Sequence, residues 1–138
     1  MSITETKNLV RQYIEKVWNN GDLTAFQNFT TASFTYQLGG QPARDRLSMQ
    51  QFIGMIRAAF PDWRVAIIEM IAENDHVAVR WQGQVTHEGL FYGLSPTGKH
   101  INVSGMNIYR VVGNKIDAEW EQTDTLGMLQ QLGALSKG

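Results

Sequence analysis

Lys115-Ile116-Asp117-Ala118-Glu119-Trp120-Glu121-Gln122-Thr123-Asp124 follows a Gly113-Asn114 pair flanked by apolar residues, the pattern of a two-residue hairpin with glycine first. The pattern predicts a strand over 115–124 that folds back on a strand over 100–112. Side chains alternate between faces, so Glu119, Glu121 and Thr123 share one side and Trp120, Gln122 and Asp124 the other. A two-residue loop pairs Val112 with Lys115, and that register sets Ile108 opposite Glu119 and Met106 opposite Glu121. The two carboxylates then stand about 7 Å apart at their backbones, against a branched alkyl group and a sulfur. Carboxylates rarely occupy an apolar face without a function, which makes this pair the candidate site.

The 138 residues suit one domain, expected over 1–138, able to bury roughly two-thirds of its unfolded surface. With 43% hydrophobic and 18% charged residues the chain is globular rather than disordered. A net charge of -1 gives no electrostatic footprint for nucleic acid or an acidic membrane surface, and neither partner is expected. The absence of cysteine excludes disulfides, thiol catalysis, iron–sulfur clusters and cysteine-ligated zinc. No signal-like region and no apolar run of about 20 residues is present, so a soluble cytoplasmic protein is expected.

Working outward from the hairpin, residues 4–18 read as an amphipathic helix with Val10, Tyr13, Ile14, Val17 and Trp18 at helical spacing. Thr4 is its expected cap, without a capping box because Lys7 stands where the glutamate belongs. Asn19-Asn20-Gly21 ends it, and Asp22 caps a short helix through Phe26. Ser33 to Leu38 alternates as a strand, Gln41–Leu47 reads as a polar loop, and Ser48 caps a third helix with a stripe of Phe52, Ile53, Ile56, Ala59 and Phe60. Strands follow at Trp63 to Ala72 and His76 to His87, the second carrying Val77, Val79, Trp81 and Val85 on one side. Glu88 to Lys99 is a Gly/Pro-punctuated connection, and Thr125 to Leu135 a short terminal helix capped by Asp124, with Leu126, Leu129 and Leu132 at helical spacing. Helices first and strands after imply an α+β fold, in which a curved antiparallel sheet forms a cone and the N-terminal helices cover its concave face.

Phe60-Pro61-Asp62-Trp63, Thr86-His87-Glu88-Gly89, Pro96-Thr97-Gly98-Lys99, Glu119-Trp120-Glu121 and Thr125-Leu126-Gly127 resemble, in that order, the SnoaL-like polyketide (ester) cyclases of the nuclear-transport-factor-2-like superfamily. The resemblance runs from about residue 50 to residue 133 and implies the same cone. It also implies intramolecular aldol ring closure without metal or cofactor, using one acid/base carboxylate directly after the tryptophan of an H-W-D motif. That position is Glu121 here, and the motif's histidine position is Glu119. Glutamate for aspartate lengthens the reach by a methylene, and glutamate for histidine supplies a second acid. The fold and pocket are therefore expected to carry over, and the family's substrate is not.

A buried carboxylate takes a proton from carbon flanked by carbonyls when it is ionised, desolvated and within reach. Glu121 is the expected base, and Glu119, coupled to it, stays protonated or binds a donor. The alternative is that both point to solvent or to an interface. His87 either orients a substrate carbonyl or anchors its loop; His76 and His100 are solvated, and the three lack metal-site spacing. Tyr13, Trp18, Tyr36, Phe52, Trp81, Phe91 and Tyr92 are candidate pocket walls for a small hydrophobic ligand, about a third of them in contact with it, with Met106 and Ile108 beside the acids. Competing readings are a non-catalytic binder of an apolar ligand and an isomerase, dehydratase or hydrolase on the same fold. The sheet face carrying Trp81, Val79 and Val77, or its opposite, is a candidate homodimer interface.

Overall fold

In the computed structural model, which describes residues 1–135, the last three residues of the expected 1–138 domain lie outside the described residues. The elements in chain order are α1 (Ile3–Tyr13), α2 (Leu23–Phe29), β1 (Thr30–Leu38), β2 (Arg44–Asp45), α3 (Arg46–Ala59), β3 (Val65–Glu73), β4 (His76–Thr86), β5 (His100–Val112), β6 (Lys115–Thr123) and α4 (Thr125–Gln131). The helix starts differ from expectation because nearer hydrogen bonds win. Ser2, not Thr4, caps α1, and Glu5 closes a reciprocal capping box with it. Asp45 accepts from the Ser48 amide at 2.8 Å, so α3 begins two residues before Ser48. The expected Gln41–Leu47 loop contains the short strand β2, paired with β1.

α1 continues into a wider π-helical turn, Ile14–Asn19, which is where the single helix expected over 4–18 departs from α geometry. The Asn19 amide then bridges to the backbone of Val65, donating to its carbonyl at 3.0 Å and accepting from its N–H at 2.8 Å. This tie sets Trp18 against the start of β3.

The six strands form one sheet in the order β2-β1-β6-β5-β4-β3. β3 to β6 are antiparallel as expected, while β1 lies parallel to β6, a pairing across distant sequence that alternation cannot show. Ladders slip beside Ile68 in β3, beside Asp117 in β6 and within the first half of β1. Each irregularity adds local twist, and together they bend the sheet into a cone closed by α1, α2 and α3. Tyr13, Val17, Phe26, Ile53, Phe60, Val77, Val85 and Ile116 fill the core between helices and sheet.

Candidate functional site

Asn114 and Gly113 both take left-handed backbone angles, at φ 65° and 55°, giving a tight turn that pairs Val112 with Lys115 as expected. Two residues later the ladder slips. Val111 faces Ile116, but Arg110 faces Ala118, so Asp117 is an extra residue in β6. Its carboxylate is held by Arg110 at 2.6 Å and by the hydroxyls of Thr31 at 2.7 Å and Ser33 at 3.1 Å. Beyond the bulge the partners shift by one: Glu119 faces Tyr109 and Glu121 faces Asn107. The expected partners are thereby corrected. Ile108 faces Trp120 and Met106 faces Gln122 on the outer side of the sheet, 47% and 60% exposed, and neither reaches the acids.

Both glutamates point into the cone. Glu119 is 1% exposed. The Tyr13 hydroxyl lies 3.1 Å from its Oε1, and Asn107 Nδ2 donates to its Oε2 at 2.7 Å. The same Nδ2 donates to Glu121 Oε1 at 3.2 Å, and the Thr123 hydroxyl donates to Glu121 Oε2. Trp81 Nε1 donates to Asn107 Oδ1 at 2.7 Å. The Tyr36 hydroxyl is buried beside Glu121 without a hydrogen bond of good geometry. Burial first, and the Glu121 charge second, push the Glu119 carboxyl from 4.5 up to about 8. Burial also raises Glu121, opposed by its bonds from Thr123 and Asn107. Tyr13, Tyr36 and Tyr109 are raised chiefly by burial and then by the acids, so their hydroxyls remain neutral. Once Glu119 is protonated its hydrogen needs an acceptor. Asn107 offers only hydrogens there, so the acceptor is a tyrosine oxygen, that of Tyr13 or Tyr109.

Glu121 lies on the wall of a cavity whose other sides are Trp18, Phe52, Trp63, Trp81 and Phe91. The cavity volume is about 50 Å³, a narrow slot. Of the expected wall residues, Trp18, Phe52, Trp81, Phe91 and Tyr92 line it, while Tyr13 and Tyr36 do not, and neither does Glu119. His87 is fully buried, its Nδ1 accepting from the Thr97 amide at 3.2 Å, while Nε2 has no partner among the described residues. Those are the bonds of a loop anchor. Sequence reading missed Asn107, Tyr109 and Trp63: the first two sit one residue from the expected partners, and Trp63 belongs to a quoted motif. Among the described residues no group of three or more His, Asp or Glu side chains is placed to hold a metal ion, and no helix is long and apolar enough to cross a membrane.

The family model for the SnoaL-like polyketide cyclases matches residues 8–132. The chain belongs to this family. Among solved structures, this SnoaL-like chain is similar to a protein of Acidithiobacillus ferrooxidans provisionally described as a polyketide cyclase, at 31% identity and a TM-score of 0.85, covering 99% of this chain and 100% of that one. It is similar to AclR of Streptomyces galilaeus, provisionally described as a hydroxylase, at 26% identity and 0.88, covering 98% and 100%. IdmH of Streptomyces antibioticus, provisionally a polyketide cyclase, matches at 26% and 0.81, covering 93% and 98%. No curated protein matches the chain. These likenesses support a cyclase-like role in a SnoaL-like cone.

Proposed function

We propose that this chain is a cofactor-independent acid/base enzyme acting on a small, flat, hydrophobic carbonyl compound, an aldol-type cyclase in which Glu121 is the base. The observation that carries the reading is the place of Glu121: a half-buried carboxylate on the wall of an apolar slot, with no cation paired to it among the described residues. Bound substrate excludes water from the slot, and a desolvated carboxylate with a raised pKa is a stronger base toward carbon. Glu121 takes a proton from the carbon next to a carbonyl, the resulting enolate attacks a second carbonyl in the same molecule, and Glu121 returns its proton to the new alkoxide. Glu119 has no place on the wall; it stays neutral and supports Glu121 through Asn107. A non-catalytic binder suits the same apolar walls but gives no account of two acids withdrawn from solvent with shared donors.

Deuterium wash-in from D₂O beside the carbonyl of 2-tetralone, a flat aryl ketone, tests the reading, with tryptophan quenching as the measure of occupancy because Trp18, Trp63 and Trp81 line the slot. Wild type accelerates exchange and Glu121→Gln loses it while still binding. A ketone that binds wild type without faster exchange refutes the base assignment.

The outer sheet face completes the proposal. Ile71, Ala78, Met106, Ile108 and Trp120 form an apolar groove there, edged by the Glu69–Arg80 ion pair. We assign it to a second copy of the chain, since an apolar patch edged by both charge signs suits a self-complementary interface. Of the two faces considered for a homodimer this is the open one, because Trp81, Val79 and Val77 are buried inside the cone. A cytoplasmic location belongs to the same proposal and rests on the sequence.

A further inference from the structure

One side chain touches both acids, and its orientation is not free. Asn107 on β5 projects inward opposite Glu121. The Trp81 indole N–H is a donor with no acceptor capacity, so the amide atom 2.7 Å from it is the oxygen. The amide nitrogen must then face the acids, and its two hydrogens are spent on Glu119 Oε2 at 2.7 Å and Glu121 Oε1 at 3.2 Å. Flipping the amide would aim a lone pair at a carboxylate and leave the indole hydrogen buried without a partner, two losses at once.

We propose that Asn107, locked by the Trp81 indole, is the positioning residue that keeps the acid pair singly charged, so that a base is always present at the wall of the slot. This deepens the reading of Glu121 as base and rests on it. The groups facing the pair are Tyr13 from α1, Tyr36 from β1, Tyr109 from β5 and Thr123 from β6, all neutral. Among the described residues the ion pairs Arg64–Glu15, His76–Asp75, Arg80–Glu69 and Arg110–Asp117 all lie elsewhere, so no cation helps hold the charge. Two carboxylates packed side by side, one buried and one half-buried, without a cation tend to stay protonated. Against that tendency stand, among the described residues, uncharged donors alone, of which only Asn107 bonds both acids, reaching whichever is ionised.

The test needs no substrate. Glutamate carboxyl carbons are labelled with ¹³C and followed by NMR against pH, with Glu119→Gln and Glu121→Gln assigning the two signals. In Asn107→Leu the pH at which the pair takes its first negative charge rises by about one unit or more, the size expected for losing a hydrogen bond to a charged group. Trp81→Phe keeps an aromatic ring but frees the amide to turn, and moves the same midpoint upward by less. Trp120→Phe, adjacent to both acids but on the outer face, leaves it in place. A first midpoint in Asn107→Leu within about 0.3 unit of wild type overturns the proposal. So does an unmoved midpoint in Trp81→Phe, which also decides the matter if Asn107→Leu does not fold. Failure of the ketone exchange assay would leave these titrations readable, so the two readings fail separately.

Discussion

Replacing Glu119 by glutamine should make the protein more stable at high pH while leaving it little changed at low pH. The folded-state pKa of Glu119 is raised from 4.5 to about 8. Below pH 4.5 both folded and unfolded chains hold the proton, and the favourable neutral contacts are fully present. Between pH 4.5 and 8 the unfolded chain has released the proton and the folded one has kept it, so stability falls as pH rises. Above 8 the loss is complete. The window spans about 3.5 pH units, and at about 1.4 kcal/mol per unit the loss approaches about 5 kcal/mol. Glutamine is the neutral isostere: its oxygen accepts from Asn107 and its amide donates to a neighbouring tyrosine oxygen, as the protonated acid does. Urea unfolding of both proteins at pH 4.5, 7 and 9 measures the difference. Glu119→Gln should match wild type at pH 4.5 within about 1 kcal/mol and exceed it by several kcal/mol at pH 9. For a chain this size that is a rise in Tm of roughly 10 °C or more. Equal pH slopes in the two proteins would mean that Glu119 carries no raised pKa, and the neutral role assigned to it would fall.

Asp117→Ala removes the acceptor shared by Arg110, Thr31 and Ser33 and should cost about 1–3 kcal/mol in urea unfolding; a loss below about 0.5 kcal/mol would show that the bulge holds without it. Ile108→Glu puts a charge into the outer groove, where Ile108 is 47% exposed. By analytical ultracentrifugation at micromolar concentration it should be a monomer where wild type is a dimer, with the glutamate ¹³C titrations intact; a monomeric wild type removes the interface.

The fold was legible where local physics decides it. Alternating apolar residues marked β4, Asp22 and Asp124 capped the helices expected of them, and the Gly113-Asn114 turn marked β5 and fixed the first pair of the hairpin. Gly127 belongs to the same signal, since a Cβ there would overlap the Asp124 carboxylate that caps α4. Contacts distant in sequence were not legible. Nothing near Thr30–Leu38 announces a parallel partner some eighty residues away, and the two-residue strand β2 exists only because β1 has a free edge to pair with.

The site shows most clearly what alternation can and cannot give. In β5 the odd positions Ile101, Val103, Tyr109 and Val111 are buried, so they mark the inner face. A plain ladder from the turn pairs Val111 with Ile116, also inner, and strict alternation then sends Glu119 and Glu121 outward beside Ile108 and Met106. Acids inside the cone therefore require one extra residue between Ile116 and Glu119. Asp117 is the residue suited to it, because its carboxylate leaves the apolar row to meet Arg110. The conflict between an apolar odd face and inward glutamates was present in the sequence, but Thr31 and Ser33, which hold the bulge, come from a strand whose pairing was not. Asn107 and Tyr109 were missed by that single slip of register, which leaves the chemistry expected of the two acids intact and moves only the side chains that serve them.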